Sequence, residues 1–142
     1  MFWYIIKKDW IIFCLIKKMN SKINIIKYWL PVFVWCSVIY YLSSIPELKS
    51  GLPNQWDFVS RKIAHMAEYG ILTFLFFRAV TINLSFRRAI AYSALFSITY
   101  ALTDEYHQLF VFGRSGNLTD VFIDTLGIFF ATFLIYKKKI KW

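Results

Sequence analysis

Two cysteines and two histidines are all that this 142-residue chain offers to thiol or imidazole chemistry. Cys14 and Cys36 stand alone inside apolar stretches, without the paired spacing of a disulfide framework or a cysteine-based metal site. They read as packing residues. His65-x-x-Glu68 and Asp104-x-x-His107 each set an imidazole and a carboxylate one helical turn apart, a spacing that can supply two metal ligands from one helix. Neither order matches the H-E-x-x-H pattern of metalloproteases, and there is no His-rich cluster. The expectation is therefore no metal and no other cofactor. Internal repeats and low-complexity tracts are missing too, as is the small-residue cleavage site that would close a signal peptide.

Acidic residues are also few, 8 against 17 Lys and Arg, for a formal net charge of +9. A nucleic-acid binder gathers such an excess on a solvated face within a polar scaffold. Here the lysines flank greasy segments instead, and nucleic acid is not an expected partner. What fills the chain is apolar: 58% hydrophobic and 21% aromatic residues with a mean hydropathy of +0.49, above the apolar share of an average soluble domain. Since a membrane span takes about 20 mainly apolar residues, the length admits four spans and no soluble catalytic domain beside them.

Four segments have the length and hydrophobicity of spanning helices: residues 28–45, 63–81, 89–110 and 118–136. The connection "PELKSGLPNQWDFVSRK" is punctuated by Pro46, Gly51 and Pro53, while "INLSFRR" and "GRSGN" are short turns that join antiparallel neighbours. The predicted fold is an all-α membrane protein, four antiparallel transmembrane helices in a compact bundle over residues 28–136. Residues 137–142 form a basic tail. Residues 1–27 carry Trp3, Tyr4 and Trp10 among lysines, in apolar patches too short to span. They read either as an amphipathic interfacial segment or, for the part before Met19, as a dispensable extension.

Orientation follows from the basic flanks, since Lys and Arg accumulate on the cytoplasmic side. One side of the predicted bundle collects 13 of the 17 basic residues, including both chain ends. Both termini are therefore expected in the cytoplasm. The acidic residues, which that count does not use, sort the other way: all except Asp9 belong to the outer half. Each helix then brings polar groups to one outer level. Ser43, Ser44 and Pro46 end the first; Arg61, Lys62, His65, Glu68 and Tyr69 open the second. Asp104, Glu105, His107 and Gln108 end the third, Arg114 lies in the turn, and Asp120 and Asp124 open the fourth.

Residues three or four apart share a helix face. Lys62, His65 and Glu68 form one ladder, Asp104, His107 and Gln108 a second, and Asp120 with Asp124 a third, all able to face the bundle interior. Ionisable groups within spans cost about +2.5 to +3.5 kcal/mol each at the centre and are generally paired and functional. The alternatives are solvated helix ends, a capping role for Asp120 at a helix start, a snorkelling Lys62, and an internal ion pair of Glu68 with His107 or Arg114 that only holds the bundle together. Arg114 in "FGRSGN" is either a turn residue or a bidentate clamp for phosphate or carboxylate. For a catalytic reading the candidates are Glu68 or His107 as general base with Asp104 orienting His107. A nucleophile at Ser43 or Ser115 is conceivable beside them.

The strings "YLSSIP" at 41–46, "KIAHMAEYGIL" at 62–72 and "ALTDEYHQLFVFGRSGNLTDVFIDTLG" at 101–127, in this order and spacing, resemble the VanZ-like family of small bacterial membrane proteins. The resemblance covers residues 24–136 and leaves the segment before Met19 outside. It implies a multi-pass protein of the bacterial cytoplasmic membrane, associated with lowered susceptibility to the glycopeptide antibiotic teicoplanin. The family's polar signature falls on Ser44, Pro46, Lys62, His65, Glu68, Tyr69, Gly70, Asp104, Glu105, His107, Gln108, Gly113, Arg114, Gly116, Asp120, Asp124 and Gly127. One departure is Phe112, where the family commonly has proline before the Gly-Arg pair. The resemblance does not carry an established chemistry, so three functions stand open: binding of a lipid headgroup, cell-wall precursor or glycopeptide; an intramembrane hydrolase or transferase for a lipid-linked substrate; or a structural or regulatory membrane partner.

Overall fold

The computed structural model describes residues 25–46, 54–114 and 116–138, and among these it is entirely helical. The helices are α1, Ile25–Ser44, α2, Asn54–Val80, α3, Phe86–Gln108, and α4, Leu118–Lys138. The expected N-terminal interfacial segment and the end of the basic tail lie outside the described residues, as does Ser115.

Neighbouring helices run in opposite directions, as contacts at the two ends of the bundle establish. At one end Arg114, in the α3–α4 turn, donates to the carbonyls of Leu42 and Ile45 at the end of α1, and Lys62 near the start of α2 pairs with Asp120 at the start of α4. At the other, Phe77 and Val80 at the end of α2 pack with Ala89 at the start of α3 and Ile135 at the end of α4. Between them lies a core of Val32, Ile39, Tyr69, Leu72, Ala101 and Ile128, drawn from all four helices.

Helix α2 begins nine residues before the predicted span, so part of the expected loop is helix. A hydropathy profile locates the apolar stretch, whereas a helix continues as long as its backbone and side chains are satisfied. Asp57 in its first turn suits the positive end of the helix dipole and pairs with Arg61 one turn on, at 3.1 Å.

Three of the four helices are long and apolar enough to cross a membrane: α1, α2 from Trp56 to Val80, and α4. Helix α3 is not, contrary to the expectation of four. Its inward stripe of Ala89, Ser93, Ser97, Ala101, Asp104, Glu105 and Gln108 is small or polar, which lowers its mean hydropathy. The opposite face stays apolar, with Tyr92, Leu95, Leu102 and Tyr106 exposed. Small side chains let α3 sit close to α2, where the Thr73 and Ser97 hydroxyls meet at 2.9 Å and Thr73 donates to the Tyr69 carbonyl at 2.8 Å.

Closest of all are α2 and α4. A Cβ placed on Gly127 would overlap the backbone of Met66, and one on Gly70 would lie 3.3 Å from the Gly127 carbonyl oxygen. Only hydrogen fits at Gly127. Around this core the outer faces remain greasy: Phe33, Val34, Ile63, Phe122, Phe129, Phe130 and Phe133 are all exposed.

Candidate functional site

The acid and base residues gather at the end of the bundle formed by the last turn of α1, the first half of α2, the end of α3 and the start of α4. Sequence spacing explains how. On α2, Lys62, His65 and Glu68 share a face, and all three line a cavity of about 250 Å³. Helix α4 answers this ladder rung by rung: Asp120 takes Lys62, and Asp124 Oδ1 lies 3.5 Å from His65 Nδ1. Asp104 and Gln108 of α3 line the same cavity, the Gln108 amide donating to Asp104 Oδ2 at 3.0 Å.

Arg114 closes the cavity from the α3–α4 turn. Its Nε donates to the Ile45 carbonyl at 3.1 Å and its Nη2 to the Leu42 carbonyl at 2.8 Å. Leu42 lies in the last turn of α1 and Ile45 just beyond it, where carbonyls lack i+4 helical partners. The residue is therefore a turn residue that caps α1 and walls the cavity, with both of its bonded donors on backbone carbonyls. Burial lowers the Arg114 pKa, and the negative charge of Asp104 counters the effect. The turn itself closes without the family proline: Gly113 takes a φ of 75°, which glycine adopts without steric cost, and the Arg114 N–H donates to the Val111 carbonyl at 3.2 Å.

Helix α4 starts where the sequence reading placed it, and Asn117 accounts for the start. Its side-chain oxygen accepts the Thr119 N–H and hydroxyl, both at 3.1 Å, as an N-cap does. Glu105 of α3 supports the same turn, Oε2 accepting the Asn117 N–H at 2.9 Å.

Four of the eleven candidate binding residues lie off the cavity. Tyr69 is fully buried, with its hydroxyl near Asp104 and without a hydrogen-bond partner among the described residues. Glu105 and Asp124 are buried behind the wall. His107 turns toward α1, where its ring stacks on Tyr40 with centroids 4.6 Å apart and Nε2 meets Ser44 Oγ at 3.1 Å. The Ser44 hydroxyl donates to the Tyr40 carbonyl at 2.7 Å, and both contacts are satisfied together in the tautomer with the proton on His107 Nε2. A histidine in that tautomer is a donor to Ser44, not its base. Asp104 is bonded to Gln108 and forms no hydrogen bond or ion pair with His107 among the described residues. The alternative of a Glu68 ion pair with His107 or Arg114 is likewise not formed among the described residues; His107 is turned to Ser44 and Tyr40 of α1, whereas Glu68 lines the cavity.

Seven residues outside the candidate set line the cavity: Arg61, Ser43 and Gly113, with the apolar Ile39, Leu42, Phe58 and Ala64. Arg61 was legible as the i+4 partner of Asp57. Ser43, a conceivable nucleophile by sequence, has a buried hydroxyl with no partner among the described residues.

In comparisons with known proteins, the VanZ/LLP1 family model matches residues 3–140. The match takes in the segment before Met19, which the sequence resemblance had left outside. Neither the curated proteins nor the solved structures gave a match. With nearly the whole chain inside one family model, the protein belongs to the VanZ/LLP1 family.

Proposed function

We propose that the chain is a four-span protein of the cytoplasmic membrane, both termini inside, and that its cavity receives the polar headgroup of an envelope lipid or lipid-linked wall precursor. Three helices with spanning character and the broad exposed apolar surface support the membrane assignment. Helix α3 crosses with its polar stripe turned to its neighbours, where lipid does not meet it. The basic flanks supply the orientation.

The observation that carries the binding reading is the cavity lining, which sets Arg61, Lys62, His65 and Arg114 beside Glu68, Asp104 and Asp120. Both signs of charge at one membrane-facing level suit a group bearing a phosphate together with a hydroxyl or an amine. Size narrows the ligand. At about 250 Å³ the cavity falls below the roughly 300–1,000 Å³ of drug-sized sites, so it takes a headgroup and not a glycopeptide. A link to teicoplanin then runs through the envelope lipid that the drug must meet.

Native mass spectrometry of the purified protein with phosphatidylglycerol, phosphatidylethanolamine, cardiolipin and undecaprenyl-linked precursor tests the reading. One headgroup class should be retained preferentially and lost from Arg61→Ala and Glu68→Gln, but not from the lipid-facing Leu102→Ala. Equal retention across lipids and variants would refute it. Conversion of a lipid by the reconstituted protein would replace binding with catalysis.

A further inference from the structure

At the cavity wall, one side chain from each of three helices meets at a point where only His65 also lines the cavity, while Glu105 and Asp124 are buried behind it. We propose that His65 of α2, Glu105 of α3 and Asp124 of α4 hold a divalent transition-metal cation. One ligand atom from each lies within 4.8 Å of the other two. Asp124 is 0% exposed and Glu105 5%, and His65 Nδ1, Glu105 Oε1 and both Asp124 oxygens lack hydrogen-bond partners among the described residues. A buried carboxylate left without partners is costly. Here Glu105 has one oxygen bonded and Asp124 only the 3.5 Å contact with His65, and Lys62, one turn from His65, is committed to Asp120.

Charge and geometry select the occupant. Two carboxylates and a neutral imidazole balance a +2 ion, whereas an imidazolium at His65 would leave the pocket one charge short. One nitrogen and two oxygen donors suit zinc, manganese or ferrous iron; calcium takes six to eight oxygens, more than the cluster offers. Tetrahedral donors with bonds near 2.1 Å stand about 3.4 Å apart, so the ion draws the three side chains together by about 1 Å, a movement within the reach of Glu105 and His65 torsions. The bond from the Asn117 N–H to Glu105 Oε2 holds that carboxylate with its other oxygen inward, as outer partners orient metal ligands. His65 also lines the cavity, which puts an open coordination position on the cavity side.

Purified protein in detergent, stripped with chelator and titrated with Zn²⁺ and Mn²⁺, tests this, with bound metal counted by plasma mass spectrometry and Co²⁺ absorption reporting geometry. The expected result is one ion per chain, with binding weakened at least about tenfold in each of His65→Ala, Glu105→Gln and Asp124→Asn. Leu102→Ala, on the exposed apolar face of α3, keeps the ion. Should Asp124→Asn fail to fold, the other two ligand variants carry the test. Metal content in the wild type equal to that of folded His65→Ala or Glu105→Gln overturns the proposal and leaves a buried His65–Asp124 ion pair. Lipid retention measured on the same stripped protein keeps the two proposals separate, because loss of metal with lipid retained bears on this site alone.

Discussion

Gly127→Ala reverses the sign that helix propensity alone predicts. In a helix interior, alanine in place of glycine gains about 0.8–1.0 kcal/mol. At Gly127 the added methyl meets the carbonyl and Cα of Met66, which are backbone atoms and cannot rotate away. Forcing a methyl group into a closed contact costs typically 1–3 kcal/mol, and a contact with backbone belongs at the upper end of that range. The net expectation is a loss of about 1–2 kcal/mol. Gly70→Ala is the internal control, since its methyl stands 3.3 Å from the Gly127 carbonyl oxygen and needs only a few tenths of an ångström. Thermal unfolding in detergent micelles, followed by tryptophan fluorescence, should rank the wild type and Gly70→Ala above Gly127→Ala. The substitution also reaches the site. Met66 follows His65, and Asp124 lies one turn before Gly127, so parting α2 from α4 widens the His65–Asp124 separation and weakens metal uptake with stability. A Gly127→Ala protein more stable than the wild type would refute the close helix approach.

Removing the Arg114 guanidinium with Arg114→Ala releases the Leu42 and Ile45 carbonyls; with hydrogen bonds to a charged group worth about 1.5–3 kcal/mol, the melting temperature should fall, and Arg114→Lys should recover only part because its ammonium cannot fork to two acceptors. Impermeant maleimide applied to intact cells should label Phe112→Cys and spare Asn83→Cys, in a background with Cys14 and Cys36 replaced; the reverse pattern would invert the proposed topology. In a double-mutant cycle of Lys62→Met and Asp120→Asn, coupling should exceed the 0.2–1 kcal/mol of exposed pairs, because both side chains are about four-fifths buried; a coupling near zero would show the pair to be a solvated contact.

How much of this was legible in the sequence depends on distance along the chain. Ladders within one helix were readable, because 3.6 residues per turn fixes which side chains share a face: Lys62, His65 and Glu68 do line one cavity. The rule also marks where the reading slipped. Gln108 is 40° past Asp104 around the helix, while His107 is 60° short of it, and that 100° step separates the cavity from α1. Residues 104, 107 and 108 therefore form a broad wedge, and a wedge at a three-helix junction is divided between neighbours. Helix identities and order were visible in the apolar runs. The start of α2 was not, since Asp57 and Arg61 extend a helix that hydropathy treats as finished. Pairings between helices had no sequence signal at all. Arg114 bonds to carbonyls of α1, and every residue owns a carbonyl.

The same geometry explains why polar residues are tolerated so densely at this end of an otherwise apolar chain. Nitrogen donors on α2 face carboxylates on α4 rung by rung, Lys62 with Asp120 and His65 with Asp124, and the glycine contact one turn further on brings the rungs within reach. Close backbone approach is thus the condition for the electrostatics, not a consequence of it. Moving along that interface from the headgroup end, partners become scarcer: Lys62 has a full charge partner, His65 has a contact of 3.5 Å, and Asp124 and Glu105 retain oxygens without any. Unsatisfied acceptance therefore concentrates where α2, α3 and α4 converge, just inside the cavity. A cation at that point would complete the series that Lys62 begins.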